Sequence, residues 1–440
     1  MGTYASCTFG NLHIIESKSE VDPALMKLFR SAERKIRKAD DPELPAHLRE
    51  RYEDDPDARV VYYEVDPRTI RDRLDIFGYS MEAARRLFDE WRLLEIRQHE
   101  GFDSLIPEQH DADLQRLREL TPDQWMGFIR RIAMDNLRWR DAENHKDSFL
   151  GKMLQAHETW YGYGGPDWLV GLRLAVEACL DLESFVYDLT DLVDGEFIDP
   201  EDDDIERVIG WSAAEFHARG RVIILTEGRT DSAVIVGALE LLYPHLRDYY
   251  SFMDFSEFGG GAGQLANLVR AFVGAGIVNR VIALFDNDAA GRAAMRTVKT
   301  SKLPEHIVVM RLPDLPALRA YPTLGPTGPS LMDINGMAAS IELYFGEDTL
   351  KNPDGALPPI QWTGYEKSVG TYQGELSAKS DVQARFQEKL ARARNDPGFR
   401  GTTDWSGIRM ILSQVFTAFN RLDEQLLASQ LRYVYREDEE

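Results

Sequence analysis

Two short stretches decide the fold of this chain: Val222–Asp231, with the sequence VIILTEGRTD, and Val281–Gly291, with the sequence VIALFDNDAAG. Each begins as an apolar run of strand length and delivers carboxylates where that run ends, namely Glu227, Asp231, Asp286 and Asp288. In parallel α/β sheets, sites form at the carboxyl ends of the strands. Carboxylates gathered there repel one another unless a cation lies between them, and hard divalent ions such as Mg²⁺ take oxygen ligands of this kind. The two stretches therefore predict a metal site at the edge of an α/β sheet.

The composition is that of a strongly acidic globular protein. The chain has 440 residues, 43% of them hydrophobic, and a formal net charge of −23. This length predicts two or three domains. The negative charge argues against broad, non-specific wrapping of nucleic acid, although a local basic groove can act inside an acidic protein. Part of the excess lies in Asp194–Glu206 and Glu437–Glu440, which we interpret as a solvated connection and a solvated tail.

Cysteine content and hydropathy both favour the cytoplasm. Cys7 and Cys179 are the only cysteines, too few for a Cys-rich zinc site or a disulfide framework. The N-terminus lacks the basic and apolar regions of a secretory signal. No apolar run approaches the roughly 18–20 residues of a membrane span. We therefore expect a cytoplasmic protein without membrane contact, since a reducing compartment suits unpaired thiols.

The first half of the chain is predicted to be mainly helical. Short strands are predicted at Leu12–Glu16 and Arg59–Val65, and Thr121-Pro122 has the cap and the proline of a helix start. Apolar spacings of three and four residues indicate helices over Ile70–Leu87, Ala112–Arg140 and Trp168–Val193. A charged segment, Ala24–Ala39, is also predicted to be a helix.

From Arg221 the pattern changes to alternating strands and helices, which is typical of parallel strands with helical crossovers. The predicted strands are Arg221–Thr226, Tyr249–Phe255, Val281–Phe285 and Ile307–Leu312. The predicted helices between them are Asp231–Leu242, Gln264–Gly274 and Ala289–Thr300. Gly259–Gly263 lacks the GK[ST] ending of a P-loop and is interpreted as a flexible turn. The rest is predicted as a loop over Pro313–Pro329, a helix over Met337–Phe345 and a helical tail with helices over Asp381–Arg394 and Trp405–Arg432.

The carboxylate pattern resembles a known family. Glu227 after one apolar strand, and Asp286-x-Asp288 with Gly291 after another, look like the Toprim domain of topoisomerases, bacterial primases and OLD-type nucleases. The resemblance covers about Gly220–Tyr344. It implies an α/β core with a parallel sheet flanked by helices, a glutamate that acts as acid/base or metal ligand, and a DxD that binds divalent metal.

Finer features narrow the resemblance to the OLD-type Toprim nucleases. These enzymes have Glu-x3-Asp, matched here by Glu227 and Asp231, and a later Ser-x-Glu that completes a second metal site, matched by Ser340 and Glu342. They also use a downstream lysine near the scissile phosphate, for which Lys379 is the best-placed residue. The chain has no zinc-binding module and no tyrosine that stands out as a covalent nucleophile, as primases and topoisomerases would require.

The chemistry of two-metal hydrolysis agrees with this donor set. Two ions roughly 3.5–4 Å apart activate a water and stabilise the leaving oxygen of an in-line displacement. We expect Mg²⁺ or Mn²⁺, as two ions, held by Glu227, Asp231, Asp286, Asp288 and Glu342. Lys379 would add positive charge where negative charge grows in the transition state. Asp333 lies near the second site in sequence and is a candidate additional member.

The N-terminal region carries a second resemblance. The opening MGTYASCTFGNLHI and the stretch Leu74–Trp91 resemble the domain that precedes HEPN or Toprim effector domains in prokaryotic conflict systems. This resemblance covers about the first 200 residues. It implies a role in anti-phage defence and assigns no catalytic residue.

An alternative active site is suggested by an Arg-x4-6-His motif, the pattern of HEPN ribonucleases. Arg140 and His145 match it with four residues between them, and Arg138 matches it with six. Such matches arise by chance in an arginine-rich chain, so we interpret the pair as part of a helical surface. A ribonuclease of this type needs no metal, and resistance to a chelator would distinguish it.

Basic residues gather in two segments. One is helical and contains Arg130, Arg131, Arg138 and Arg140 with Trp125 and Trp139. The other follows the Toprim-like region, and its candidate nucleic-acid-binding residues are Lys379, Arg385, Lys389 and Arg392. Such residues can track phosphates while aromatic rings stack on bases. The alternative is a solvated face of i,i+4 pairs.

These observations predict a chain of three parts. They are an N-terminal, mainly helical domain over residues 1–215, a Toprim catalytic domain over 216–350, and a helical C-terminal extension over 351–440. The predicted activity is metal-dependent hydrolysis of DNA or RNA, transfer RNA included. The alternative from another class is a non-catalytic sensor or regulatory subunit that acts with a partner protein. The expected partners are a nucleic-acid substrate, a protein that controls the activity and a second copy of the chain in a homodimer.

Overall fold

The computed structural model describes residues 3–10, 12–100, 114–145, 148–156, 161–163, 165, 167–182, 184–199, 221–253, 260–298 and 303–419. The chain divides into two compact units, one within residues 1–213 and one within 214–419. We call them the N-terminal unit and the C-terminal unit. Within the described ranges, no helix combines the length and the hydropathy that a membrane crossing requires.

The N-terminal unit contains an antiparallel sheet of five strands. The strands are β1 (Tyr4–Phe9), β2 (Leu12–Lys18), β3 (Arg34–Lys38), β4 (Arg59–Val65) and β5 (Phe185–Asp188), in the order β2-β1-β5-β4-β3. Alternate residues of a strand face opposite sides of a sheet. Tyr63 and Val65 accordingly lie in the large core, whereas Val60 and Tyr62 pack on the other face with Leu48.

The helices of the N-terminal unit are centred on one buried helix. They are α1 (Pro23–Met26), α2 (Ala46–Arg51), α3 (Pro67–Ile76), α4 (Met81–Glu100), α5 (Pro122–Met134), α6 (Phe149–Gln155), α7 (Trp168–Ala178) and α8 (Thr190–Asp194), with 3-10 helices at Ser31–Glu33 and Trp139–His145. The side chains of α7 are almost all apolar, and this helix contacts α3, α4 and α5. The predicted start of α5 is confirmed, because Thr121 and Gln124 form a reciprocal capping box.

Four helical predictions in this unit are wrong in part: Ile70–Leu87 is divided at 77–80 between α3 and α4, Ala112–Arg140 contains α5, which ends at Met134, and two others contain strands. The charged helix predicted over Ala24–Ala39 is α1, a 3-10 turn and the edge strand β3, whose residues Arg34–Lys38 pair antiparallel with β4. Charged residues on an edge strand discourage pairing with other chains. The helix predicted over Trp168–Val193 is interrupted by β5, a wholly buried strand that pairs with both β1 and β4. Long-range pairing decided the conformation of these segments against local periodicity.

The C-terminal unit is built on a parallel sheet of four strands, as predicted. They are β6 (Val222–Thr226), β7 (Tyr250–Phe252), β8 (Val281–Phe285) and β10 (Ile307–Arg311), in the order β10-β8-β6-β7. The crossover helices are α9 (Arg229–Leu242), α10 (Ala262–Gly274) and α11 (Ala289–Thr297). Helices α10 and α11 contribute Leu265, Val269 and Ala294 to a core with Val281 and Phe285. Residues 254–259 and 299–300 of the predicted elements lie outside the described ranges.

A second sheet was not predicted. Its strands are β11 (Tyr321–Gly325), β12 (Gly328–Met332), β14 (Ile360–Glu366) and β15 (Thr371–Leu376), in the order β12-β11-β14-β15. The prediction of a loop over Pro313–Pro329 is therefore wrong, because β11 and the start of β12 lie there. The prediction of a helical extension is wrong for residues 360–376, which form β14, β15 and the turn between them. The helix predicted over Met337–Phe345 is instead the strand β13 (Ala338–Ala339), paired with β9 (Asn287–Asp288), followed by a 3-10 helix at Ile341–Tyr344.

Helices complete the C-terminal unit after the second sheet. They are α12 (Glu347–Leu350), α13 (Lys379–Asn395), α14 (Pro397–Thr402) and α15 (Ser406–Phe416), with 3-10 helices in the unit at Pro244–Tyr249 and Pro316–Ala320. The predicted helix over Asp381–Arg394 is confirmed as part of α13. Of the helix predicted over Trp405–Arg432, residues 420–432 lie outside the described part. Helix α13 contacts α9, and its Phe386 stacks on Phe345 with ring centroids 3.9 Å apart.

Candidate carboxylate site

Glu227 and Asp286 follow the two central strands of the parallel sheet. Strands β6 and β8 are neighbours, with Thr226 opposite Leu284, so the residues after them emerge at the same edge. The backbone N–H of Asp286 donates a hydrogen bond of 2.9 Å to Oε1 of Glu227. This bond fixes one oxygen of the glutamate beside the aspartate that was predicted to share its site.

Asp288 caps the helix that follows. Its Oδ1 accepts a hydrogen bond of 2.6 Å from the backbone N–H of Gly291, at the start of α11. A Cβ atom at Gly291 would lie 2.4 Å from the carbonyl oxygen of Asp286, so glycine is required for the helix to approach the loop this closely. The other oxygen, Oδ2, accepts a bond of 2.8 Å from Gln373 on β15. The glycine of the DAAG sequence therefore has a packing role in shaping this corner.

Glu342 closes the site from another segment. It lies in the 3-10 helix at Ile341–Tyr344 and is fully buried. Its Oε2 accepts a hydrogen bond of 2.6 Å from the hydroxyl of Ser340, and its Oε1 accepts one of 2.6 Å from the side-chain amide of Gln383. The ammonium of Lys379 lies 3.3 Å from Oε1. A buried carboxylate is costly unless it is bonded and paired, and these three partners supply that stabilisation.

The acidic side chains act on one another electrostatically. Burial, and then the charges of Asp288 and Asp231, raise the pKa of Glu227 to about 7, although its bond from Asp286 and the charge of Lys379 oppose the shift. Burial and the charge of Glu342 raise the pKa of Asp231 to about 6. Burial and four neighbouring carboxylates raise the pKa of Asp286 well above its usual range. Asp231 lies in the first turn of α9, so the five residues come from four separate elements. We call them the carboxylate site: Glu227, Asp231, Asp286, Asp288 and Glu342.

Lys379 supplies positive charge to this site. Burial disfavours its ammonium, but the charges of Glu342, Asp286 and Asp231 outweigh that cost and raise its pKa. It begins α13 directly after Ala378, whose φ of +57° turns the chain into the helix. Its side chain is 48% exposed. The ammonium thus contacts the buried carboxylate of Glu342 from the solvent-exposed rim of the site.

The donor set suits a divalent cation. The carboxylate oxygens are hard ligands of the type that Mg²⁺ and Mn²⁺ prefer, and the raised pKa values show that negative charge here is under-compensated. Among the described residues, no three acidic, histidine or cysteine side chains could hold an ion as they stand. The hydrogen bonds that now engage Asp288 and Glu342 would be exchanged for a metal ligand. The chemistry of the residues therefore fits such an ion, and the side-chain positions would have to adjust to it.

The glycine loop before α10 supports the site through its backbone. The N–H of Gly261, which has a φ of +108°, donates a hydrogen bond of 2.7 Å to the carbonyl oxygen of Glu227. A Cβ atom at Gly260 would lie 3.0 Å from the same oxygen. The glycines therefore let the loop pack against the residue that carries the glutamate. Gly259 lies outside the described ranges.

Other predicted residues have different surroundings. Asp333 is exposed and accepts hydrogen bonds from the backbone and side chain of Asn335, and no described contact joins it to the carboxylate site. Arg385 donates to the carbonyl oxygens of Thr349 and Leu350. Arg392 is exposed and lies over the ring of Phe399.

Lys389 requires a correction, because it is not on a surface. It is 6% exposed, and its ammonium donates to the carbonyl oxygens of Phe345 and Asp404 and to the carboxylate of Asp348, at 2.6–2.8 Å. It also lies over the ring of Trp405. An ammonium whose three protons are all hydrogen-bonded in the interior stabilises the fold. Lys389 is therefore not available to contact phosphates, contrary to the prediction.

The Arg-x4-His pair lies in the N-terminal unit. Arg140 and His145 belong to the 3-10 helix at Trp139–His145, and the arginine is exposed. No hydrogen bond or ion pair joins the two side chains in the described part of the chain. The structure therefore adds no support to a site built on this pair.

Three residues of the site were missed by sequence reasoning. Gln373 and Gln383 donate to Asp288 and Glu342, and Asn287, between the two aspartates, is fully buried and bonded to Asp314. Gln383 was detectable, because it lies four residues after Lys379 on one helix face. Gln373 was not, since the hairpin that carries it was not predicted.

Comparison with known proteins assigns the N-terminal region. No curated protein and no solved structure matches this chain. Residues 1–210 match the family model described as HEPN/Toprim N-terminal domain 1. The match supports the N-terminal domain that the opening sequence was expected to form.

Proposed function

We propose that this protein is a divalent-metal-dependent nuclease that hydrolyses phosphodiester bonds in DNA or RNA. The observation that carries the proposal is the carboxylate site itself, in which five acidic side chains come from four elements and in which burial and neighbouring charges raise the pKa values of Glu227, Asp231 and Asp286. Buried like charges are costly. A fold that gathers them at the carboxyl ends of parallel strands, where ligands bind, has a use for a cation there.

The proposed ligands are the five residues of the carboxylate site. Glu227 and Asp231, with help from Asp286, would hold one ion, and Asp288 and Glu342 would hold or share a second. When bound, Mg²⁺ or Mn²⁺ would supply Lewis-acid activation of the attacking water and of the leaving oxygen. This arrangement is the one that the resemblance to OLD-type Toprim nucleases implies.

Glu227 would transfer a proton, and Lys379 would stabilise negative charge. A carboxyl group with a pKa of about 7 can hold or release a proton near neutral pH, which is the requirement for general acid/base work. The N–H of Asp286 engages Oε1 of Glu227, which leaves Oε2 for another partner. The ammonium of Lys379 stands at the rim, where it would stabilise negative charge that develops on the phosphate.

The match of residues 1–210 to HEPN/Toprim N-terminal domain 1 supports a nuclease-related or conflict-system role. We propose that this role is anti-phage defence, with DNA or structured RNA, including transfer RNA, as substrate. A partner protein that controls the activity and a homodimer belong to the same proposal.

The test is a cleavage assay of the purified protein on plasmid DNA, single-stranded DNA and total tRNA. Each substrate is incubated with Mg²⁺, with Mn²⁺ and with EDTA. Wild type is compared with Asp286→Ala and with a matched control, Asp354→Ala, whose carboxylate is exposed and caps a turn by accepting from the N–H of Ala356. We expect cleavage that requires metal, disappears in Asp286→Ala and persists in Asp354→Ala.

Other outcomes separate the alternatives. RNA cleavage that resists EDTA and survives Asp286→Ala would contradict the proposal and direct attention to Arg140 and His145. Absence of cleavage on every substrate would contradict an enzyme that is active alone. It would favour a regulatory subunit that depends on a partner.

A further inference from the structure

A pocket lined by arginines adjoins the carboxylate site. Its volume is about 480 Å³, and its lining includes Arg292, Arg296 and Arg311 with Asp314 and Gly336. Three guanidinium groups thus face one carboxylate. In a chain with a net charge of −23, this local excess of positive charge is opposite in sign to the whole molecule. We call these five residues the arginine pocket.

The three guanidinium groups are held in place by short contacts to the frame. Arg292 donates to the carbonyl oxygen of Gly336 at 3.1 Å, and Arg296 donates to the carbonyl oxygen of Ser368. Arg311 donates to the side-chain oxygen of Asn287 at 2.9 Å and lies 3.3 Å from Asp314. A guanidinium has five N–H donors, so each of these arginines keeps donors for a ligand.

Gly336 allows two of these like charges to approach each other. Its φ is +70°, and a Cβ atom there would lie 3.2 Å from the guanidinium of Arg311 and 3.3 Å from that of Arg292. Both groups therefore crowd around one backbone position. Like charges held this close repel one another, and Asp314 is exposed and contacts only Arg311 among the three. An anion in the pocket would relieve that repulsion.

Two residues of the pocket, Arg311 and Gly336, are bonded to the Asp286–Asp288 segment, which carries two carboxylates of the site. Asn287 is fully buried and accepts from Arg311, and its backbone oxygen accepts from the N–H of Gly336 at 2.9 Å. Arg311 ends β10 opposite Phe285, the residue before Asp286. Arg292 and Arg296 lie one turn apart on α11, which begins directly after Asp288. The arginines of the pocket thus come from the end of β10, the strand next to β8, and from the helix that follows Asp288.

We propose that the arginine pocket binds a phosphodiester group of the nucleic-acid strand next to the one that the carboxylate site would cleave. This inference rests on the proposed function. Planar guanidinium groups match phosphate oxygens in geometry and charge. Arg292, Arg296 and Arg311 are positioning residues: they would hold the strand against the repulsion of the acidic surface and set its register at the carboxylates.

The experiment measures binding separately from cleavage. Fluorescence anisotropy of a labelled single-stranded oligonucleotide is followed with Ca²⁺ present, at several salt concentrations, and the recovered oligonucleotide is checked on a gel. The test variant is Arg292→Ala combined with Arg296→Ala. The control is Arg409→Ala, which removes one positive charge from an exposed position on α15. Thermal melts confirm that each variant is folded.

We expect the double variant to bind more weakly than wild type at every salt concentration. The slope of log affinity against log salt should fall by about one for each phosphate contact that is lost. A purely structural role for the arginines would leave this slope unchanged, since it counts phosphate charges. Arg409→Ala should keep the slope and affinity of wild type.

A second arm distinguishes a strand from a free phosphate. Inorganic phosphate and a mononucleotide are titrated as competitors of the oligonucleotide in the same assay. Weak competition supports a site for one phosphate within a strand. Competition by either small ligand as strong as that by unlabelled oligonucleotide would overturn the inference in favour of a free-phosphate site. An unchanged slope in the double variant, or no oligonucleotide binding by wild type, would also overturn it.

The failure of this inference and that of the proposed function give different results. Arginine-dependent binding without cleavage under any metal would keep the pocket and reject the nuclease. Metal-dependent cleavage with normal binding and normal rates in the double variant would keep the nuclease and reject the pocket.

Discussion

The N-terminal unit pairs its buried charges, whereas the C-terminal unit gathers like charges together. In the N-terminal unit, Arg73 donates to both carboxylate oxygens of Glu33, at 2.6 and 2.8 Å, and Arg173 lies 3.0 Å from Asp75. Asp188 accepts hydrogen bonds from a tyrosine hydroxyl, a threonine hydroxyl and a backbone N–H. Each buried charge therefore has its own partner, and such pairs are costly to break.

In the C-terminal unit, five carboxylates lie together, with Lys379 beside Glu342, and three arginines line a neighbouring pocket. Burial and the charges of their neighbours raise the pKa values of Glu227, Asp231 and Asp286, so the fold tolerates repulsion there. Perturbed carboxyl groups of this kind are concentrated at functional sites. The contrast agrees with our two proposals, in which the clusters of one sign bind ligands of the opposite sign, whereas the paired charges stabilise the fold.

The largest expected effect is the loss of cleavage on substitution of Glu227. Glu227→Gln keeps the shape of the side chain but removes its proton chemistry and its charge. We expect the cleavage rate to fall by about 10²–10⁴-fold, the usual range for a general acid or base, with the fold intact by circular dichroism. The rate is measured under single-turnover conditions with Mg²⁺ and with Mn²⁺.

Glu240→Gln is the control for this substitution. Glu240 lies on α9 and pairs with the exposed Arg247 and Arg394, so its loss should not alter cleavage. Undiminished metal-dependent cleavage by Glu227→Gln would show that the carboxylate site does not catalyse cleavage. The difference between the two units would then have no bearing on function.

The next effect is on stability, in the unit where charges are paired. Arg73→Ala removes a guanidinium that is 1% exposed, together with its bonds to Glu33 and to the carbonyl oxygen of Leu28. We expect a loss of about 3–5 kcal/mol in the free energy of unfolding, because breaking a buried pair strands its partner. Denaturant unfolding measures it. Lys38→Ala, in an exposed pair with Asp57, should change little, and an equally small effect of Arg73→Ala would contradict the comparison.

A smaller effect on rate is expected for the lysine that the carboxylates share. Lys379→Ala should lower the cleavage rate by about 10–100-fold, less than the loss of a fully buried donor, because solvent screens its half-exposed ammonium. Lys379→Arg should restore part of the rate by keeping the charge. The control is Lys351→Ala, whose side chain is similarly exposed and pairs with Glu347. Equal rates for Lys379→Ala and Lys351→Ala would assign Lys379 to the solvated surface.

The smallest effect is a dependence of melting temperature on pH and Mg²⁺. Glu227, Asp231 and Asp286 have raised pKa values in the folded protein, against ordinary values of about 4. The folded state therefore binds protons more tightly, and their contribution to stability is complete below about pH 4 and is lost as the pH rises through about 6 to 7. We expect the metal-free protein to melt several degrees lower at pH 8 than at pH 5.5, measured by calorimetry.

Two comparisons isolate this effect from the rest of the acidic chain. Mg²⁺ should raise the melting temperature more at pH 8 than at pH 5.5, because the carboxylates are deprotonated at the higher pH. An ion that binds only the folded protein stabilises the folded state by mass action. Asp286→Asn should weaken the pH dependence, and Asp354→Asn should not. The same pH profile in wild type and Asp286→Asn would show that the clustered charges do not strain the fold.

Local sequence predicted the elements whose periodicity is strong. The apolar runs of β6 and β8, the crossover helices between them and the capped start of α5 were all recognisable, because each depends on residues close in the chain. The carboxylates at the ends of β6 and β8 followed from the same pattern, since strand ends of a parallel sheet meet at one edge. The positions of Glu227 and Asp286 side by side were therefore predictable in outline.

Segments that depend on distant partners were not predictable. Arg34–Lys38 is a strand because β4 pairs with it, and Phe185–Asp188 is a strand because β1 and β4 enclose it. The hairpin of β14 and β15 forms part of a sheet that begins some forty residues earlier, at β11. Burial and pairing in the tertiary structure override local propensity in such segments.

The sequence by itself predicted the acidic residues of the site and that Glu227 and Asp286 each follow an apolar strand, because periodicity is a local property of the chain. Only the tertiary structure decided that Glu342 is fully buried against Gln383 and Lys379 and that Asp288 is bonded to Gln373. The tertiary structure alone brings Arg311 of the arginine pocket into contact with Asn287. These contacts join segments tens of residues apart, and the free energy that brings them together comes from burial of the whole core rather than from any short stretch of chain.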